Sequence, residues 1–168
     1  MTGGSVDEPR RELAIIDAAE VTTAVIRAER YPMAELRTLF DAAFSGLFAV
    51  LGLRGISPAG PAFALHHRQP DDTVDIEVGV PIDADLGEPA ELDGGLVVEQ
   101  SRIPGGRTAV LSHFGGYDGL GQAWEAFLGE LQSRGAEVRL PFWEVYVTEP
   151  GPDVDPATLR TDLVTLVE

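Results

Sequence analysis

The chain has 168 residues, of which 28 are acidic and 12 basic, for a formal charge of −16. Apolar residues make up 44% of it, enough to bury a core in one domain and too many for a disordered chain. Cysteine is absent, which excludes a disulfide framework, a thiolate metal site and a Cys nucleophile, and favours the cytoplasm.

The negative field repels nucleic-acid phosphates, whose binding rests on Lys and Arg, and the one pair of neighbouring basic residues is Arg10-Arg11. The field suits a cationic ligand or a basic protein partner, although solubility alone also accounts for it. No uninterrupted apolar run reaches the roughly 18 residues of a membrane span, so no membrane association is expected. Nothing in the sequence specifies an oligomeric state.

Residues 1–10 read as a flexible tail, without the basic and apolar regions of a signal peptide. Residues 13–18 and 22–27 read as a strand hairpin. Tyr31 and Pro32 follow, with Pro32 placed to open a helix, where a missing N–H costs little. Leu36, Leu39, Phe40, Ala43, Phe44, Leu47, Phe48 and Leu51 then fall at the i, i+3, i+4, i+7 spacing of one buried helical stripe. Gly55 supplies the helix stop. Residues 63–67 and 74–80 read as strands, and residues 83–95, rich in Pro, Gly and acid, as a linker.

The second part repeats this order. Residues 96–103 and 107–114 read as a hairpin turned by Pro104-Gly105-Gly106, and Asp118 as the N-cap of a helix. That helix carries Leu120, Ala123, Trp124, Phe127, Leu128 and Leu131 at helical spacing and stops at Gly135. Strands are expected over 142–147 and 162–167. With Phe40 set against Leu120, Ala43 meets Ala123, Phe44 meets Trp124, Leu47 meets Phe127 and Leu51 meets Leu131. Arg54-Gly55 then meets Arg134-Gly135, and Thr23-Ala24-Val25-Ile26 resembles Thr108-Ala109-Val110-Leu111. Agreement at so many levels reads as a duplication: one domain over 11–168, with repeats at 11–82 and 96–168 and a linker at 83–95. The fold class is α+β: duplicated strand-helix-strand-strand units forming an antiparallel sheet, two helices on one face and a ligand groove on the other.

Strand alternation places Phe142, Glu144 and Tyr146 on one face of the last-but-one strand and Trp143, Val145 and Val147 on the other. The second set suits packing against the helices. The first sets a carboxylate between two aromatic rings, which bind flat apolar bodies and attract cations through their faces. A strand Glu exposed to water is the competing reading. Ala62, Ala64 and His66 hold the matching positions of the first repeat, so Ala64 stands where Glu144 stands. His66 is either an imidazole in the groove or a partly exposed surface histidine, with the second favoured; Glu77 is at least as well placed on the surface as in the groove. Tyr117, Phe114 and Tyr31 stand at the helix entrances as candidate pocket walls. Trp124 and Trp143 fit core positions, with Trp143 also a candidate ligand contact. No metal motif, phosphate loop or nucleophile elbow is present, and neighbouring His66 and His67 point to opposite faces of a strand, so neither a metal nor a cofactor is expected.

The segment from Thr108 to Tyr117 (TAVLSHFGGY), the helix with Trp124, the strand Pro141-Phe142-Trp143-Glu144-Val145-Tyr146 and the segment from Asp75 to Ile82 (DIEVGVPI) together resemble the GyrI-like effector-binding domains. The resemblance covers nearly the whole chain after Glu12. It implies a duplicated fold with a ligand groove between the repeats. In regulators of the AraC and multidrug-responsive types, a strand glutamate ringed by aromatics meets lipophilic cations, and Glu144 is the position that resembles it. Other members are hydrolases of cyclopropane-bearing genotoxins with a pocket Glu, which would give Glu144 and Tyr117 catalytic roles here. Still others are named for inhibiting DNA gyrase. No helix-turn-helix precedes the domain in this sequence, so a stand-alone small-molecule binder without direct nucleic-acid contact is expected, with hydrolase and gyrase-inhibitor readings as alternatives.

Overall fold

The computed structural model describes residues 9–148 and 153–168. Among these, nine strands and two α-helices are found: β1 (Ala14–Ala18), β2 (Val21–Pro32), α1 (Leu36–Leu53), β3 (Ala62–His66), β4 (Thr73–Pro81), β5 (Ala90–Glu91), β6 (Val97–Ile103), β7 (Gly106–Phe114), α2 (Leu120–Ser133), β8 (Val138–Tyr146) and β9 (Arg160–Val167). The class is α+β, as expected. The chain forms two compact units: one is Glu20–Pro104, the other Gly105–Glu168 with the segment that ends at Ala19.

In the 20–104 unit the strands lie in the order β3-β4-β2-β6-β5, with antiparallel pairings throughout. Helix α1 packs on β2 and β4 and buries Leu39, Ala43, Leu47, Val50 and Leu51. Within the segment Met33–Leu53, which includes the leading 3-10 turn, an 18-residue window reaches a mean hydropathy of 1.5, long and apolar enough by composition to cross a membrane. Arg37 and Asp41 interrupt the segment, so no uninterrupted apolar run reaches the length of a span, as expected from the sequence. Its buried stripe lies on the sheet of its own unit, as in a core helix.

In the other unit the order is β1-β7-β9-β8, again antiparallel. Phe127 and Leu131 of α2 form one core with Leu13, Ala109, Leu163 and Val167, and Trp124, Ala123, Leu128 and Leu111 pack around it.

The duplication holds at the level of register. Thr23↔Pro81 and Thr108↔Leu166 answer one another, as do Phe63↔Gly79 and Trp143↔Val164, and Ala64↔Val78 and Glu144↔Leu163. Leu65↔Glu77 likewise answers Val145↔Asp162, so each unit holds a buried carboxylate at the same place. The helix ends match bond for bond: Ile56 N–H donates to Leu51 O at 2.9 Å and Ala136 N–H to Leu131 O at 3.0 Å. Gly55 and Gly135 sit at φ 68° and 74°, the left-handed conformation this closure requires.

The expected hairpins are not formed. β1 pairs with β7, and β2 pairs with β6, so the first strand of each repeat lies in the unit of the other. Turn chemistry explains this. Ala19-Glu20 offers no residue suited to the positive φ of a two-residue hairpin turn. Between β6 and β7 it is Gly106 that takes a positive φ, 130°, and as the first residue of β7 it pairs with Ala18 of β1.

Smaller differences follow local contacts. Most of the expected flexible tail lies outside the described residues, but Arg10 is bound to β7: its N–H donates to Ser112 Oγ and its carbonyl accepts from Ser112 N–H, both at 2.8 Å. The linker is structured, with β5, a 3-10 turn at Asp93–Gly95 and a buried Leu86. Arg54 at the end of α1 donates to the carbonyls of Leu86 and Glu88 there. Asp118 is not a cap; it lies inside a 3-10 turn, Tyr117–Gly119, and α2 starts after it without a side-chain cap. Pro32 precedes a 3-10 turn, not α1 itself.

Candidate functional site

Glu144 lies in β8 opposite Leu163, a core residue that packs with Phe127 of α2. Residues paired across strands share a face, so Phe142, Glu144 and Tyr146 lie on the helix-covered face of this unit. The expected division of faces is therefore reversed: Trp143, opposite Val164 and only 4% exposed, faces away from α2 and from Glu144. Alternation fixed which residues go together but not which set meets the helix.

Two neutral aromatic donors hold the carboxylate. Trp124 Nε1 donates to Oε2 at 2.7 Å from the second turn of α2, and Tyr146 Oη donates to Oε1 at 2.8 Å from two residues along β8. Among the described residues no Arg or His forms an ion pair with Glu144, so its charge meets N–H and O–H dipoles only. Burial, then the charge and hydrogen bond of Glu144, hold the Tyr146 phenol well above its ordinary pKa. Trp124 stands edge-on to Phe142 at 5.0 Å, and Tyr117 edge-on to Tyr146 at 5.7 Å. Tyr117 is 41% exposed, so the cluster reaches the surface there. His113 and Thr161 share the row of Tyr146 on this face.

The structure thus brings together four of the expected residues: Glu144, Phe142, Tyr146 and Tyr117. Phe114 belongs elsewhere: in register it shares the opposite face with Ser112, and Arg11 lies 4.4 Å over its ring. His66 and Tyr31 belong to the 20–104 unit. His66 is buried, not a surface histidine, and burial first, then the charges of His67 and Arg68, lowers its pKa to about 4. Glu77 is not on the surface either: it is 2% exposed. Trp124 is the residue that sequence reading placed only in the core. Its signal was present in the repeat alignment, where Phe44 becomes Trp124 and gains an N–H. Among the described residues no cluster of His, Asp and Glu is built to hold a metal.

The GyrI-like small molecule binding domain family matches this chain over residues 11–168. The chain belongs to that family. Its GyrI-like fold has close parallels among solved structures. The EcmrR C-terminal domain superposes with a TM-score of 0.76 at 16% identity, covering 94% of this chain and 97% of that one. EcmrR in its complex with DNA gives 0.74 at 18% identity and 94% coverage, but this chain spans only 57% of that protein's length. SAV2435 bound to tetraphenylphosphonium gives 0.61 at 13% identity, covering 94% of each chain. A hydrolase from Listeria innocua gives 0.64 at 12% identity, covering 96% of this chain and 94% of that one. No curated protein matches the sequence. As a GyrI-like domain, the chain is a small-molecule binder.

Proposed function

We propose that this domain binds lipophilic cations, with Glu144 as the counter-charge and Trp124, Phe142, Tyr146 and Tyr117 as the aromatic wall. The observation that carries this reading is the carboxylate held by two neutral aromatic donors and by no cation among the described residues. A carboxylate without a cationic partner is a ready counter-charge for a ligand, and aromatic faces attract cations while covering their apolar bodies. Tetraphenylphosphonium, the ligand of the structurally similar SAV2435, is a lipophilic cation and supports the reading by analogy. The charge of −16 favours cationic ligands and disfavours direct contact with nucleic acid. Together with the lack of cysteine, this fits a cytoplasmic receptor or sequestering protein. Titration with tetraphenylphosphonium and rhodamine 6G tests the proposal: wild type binds both, and Glu144→Gln binds them at least roughly 10-fold more weakly, the loss of one partly buried charge contact.

A further inference from the structure

The 20–104 unit carries a second group of ionisable side chains, on the sheet face opposite Ala64 and His66. Glu77 lies in β4 opposite Leu65 and is almost wholly buried. Its Oε2 is 2.5 Å from His67 Nε2 and 3.5 Å from Arg27 Nε, while its Oε1 is buried without a hydrogen-bond partner. The charge of this carboxylate therefore rests on His67 and Arg27. His67 follows directly on β3, and its side chain is 49% exposed. With the carboxylate as acceptor, Nε2 carries a hydrogen, and in the neutral ring Nδ1 then keeps the lone pair.

The ring stands at a cleft of about 260 Å³ lined by Arg27, Ala28, Glu29, His67, Asp75 and Ile76. Asp75 is already satisfied by the N–H of Arg30 at 2.9 Å and then by Arg68 Nε at 3.1 Å, which hold its carboxyl below the usual range. Arg27 is half exposed and only loosely held, 3.6 Å from Glu99 and 3.3 Å from Ser101 Oγ. A buried acid that fixes a half-exposed imidazole, beside a cation and a cleft, is the arrangement of an oriented base.

We propose that His67 and Glu77 form a general-base pair that hydrolyses small neutral or cationic esters in this cleft. This site is separate from Glu144 and does not rest on the cation-binding reading. Nδ1 of His67 takes a proton from water as the water oxygen bonds to the ester carbonyl carbon. The carbonyl π pair moves to its oxygen, beside the Arg27 guanidinium. Collapse of that intermediate breaks the bond to the leaving oxygen, which receives the proton from Nδ1. One acid and one alcohol result. Glu77 is a positioning residue: it holds the tautomer and stabilises the imidazolium.

The full chain with p-nitrophenyl acetate, followed by release of p-nitrophenolate, tests this. The expected second-order rate constant is at least ~10-fold above that of free imidazole, and it rises with pH as one group loses its proton. His67→Gln removes this excess. Glu77→Gln lowers the rate and moves the midpoint of the pH profile, a change that loss of packing alone does not produce. Should Glu77→Gln fail to fold, His67→Gly provides the second measurement, because added imidazole then restores turnover. A wild-type rate no higher than imidazole, a His67→Gln rate equal to wild type, or a His67→Gly chain that imidazole does not rescue overturns the proposal.

Discussion

The indole N–H of Trp124 lies 2.7 Å from Oε2 of Glu144, so a helix residue and a strand residue share one polar contact inside an aromatic cluster. Trp124→Phe keeps the ring and removes the donor. The carboxylate then loses half its support, and stability should fall by about 1–2 kcal/mol in urea unfolding, the usual cost of leaving a partly buried charged acceptor short of one bond. A variant as stable as wild type would show that the contact has no energetic role.

Tyr146 makes the complementary bond to Oε1 at 2.8 Å, and its phenol is held well above its ordinary pKa. The folded protein therefore keeps this proton where the unfolded chain releases it. The sign follows: Tyr146 favours the fold fully below pH about 10, and that contribution is lost as pH rises beyond it. Ultraviolet titration of the native protein should show no phenolate from Tyr146 near pH 10, so wild type and Tyr146→Phe give equal absorbance steps there.

His66 works in the opposite direction. Its pKa of about 4 in the folded state lies below the ordinary 6.5, so the unfolded chain binds a proton that the native ring refuses. Stability is full above pH 6.5 and declines as pH falls towards 4, by about 3 kcal/mol at most over that window. Urea unfolding from pH 7 to pH 4.5 measures it. His66→Gln should flatten this part of the profile.

Ala64 holds the register position of Glu144 but not its surroundings. It is wholly buried, the repeat places Phe44 where Trp124 stands, and His66 replaces Tyr146. Ala64→Glu would bury a carboxylate without the indole donor, and should cost about 3 kcal/mol or more. Thermal unfolding decides it. A tolerated Ala64→Glu would mean that the first repeat can host the same site.

The repeat was legible in the sequence because helical spacing and the Arg-Gly stops carry their own register: Leu47 and Phe127, and Leu51 and Leu131, are buried at matching places as the alignment requires. Strand partners were not legible. Alternation in residues 13–18 and 22–27 marks strands but not what they pair with, and the neighbour in sequence proved to be the wrong partner. The same limit reversed the faces around Glu144: period two separates Trp143 from Phe142 and Tyr146 without saying which set meets α2. The place of Glu77, groove or surface, was left open by the sequence because its cover, His67 and Arg27, comes from two other parts of the chain.

The most direct test of the account is isothermal titration of tetraphenylphosphonium into wild type and Glu144→Gln at two salt concentrations. Wild type should bind, and Glu144→Gln should bind at least roughly 10-fold more weakly, with a folded circular dichroism spectrum and little of the wild type's salt dependence. Equal affinity in a folded Glu144→Gln would contradict the role given to the carboxylate, and absence of binding by wild type to this cation and to rhodamine 6G alike would contradict the ligand class.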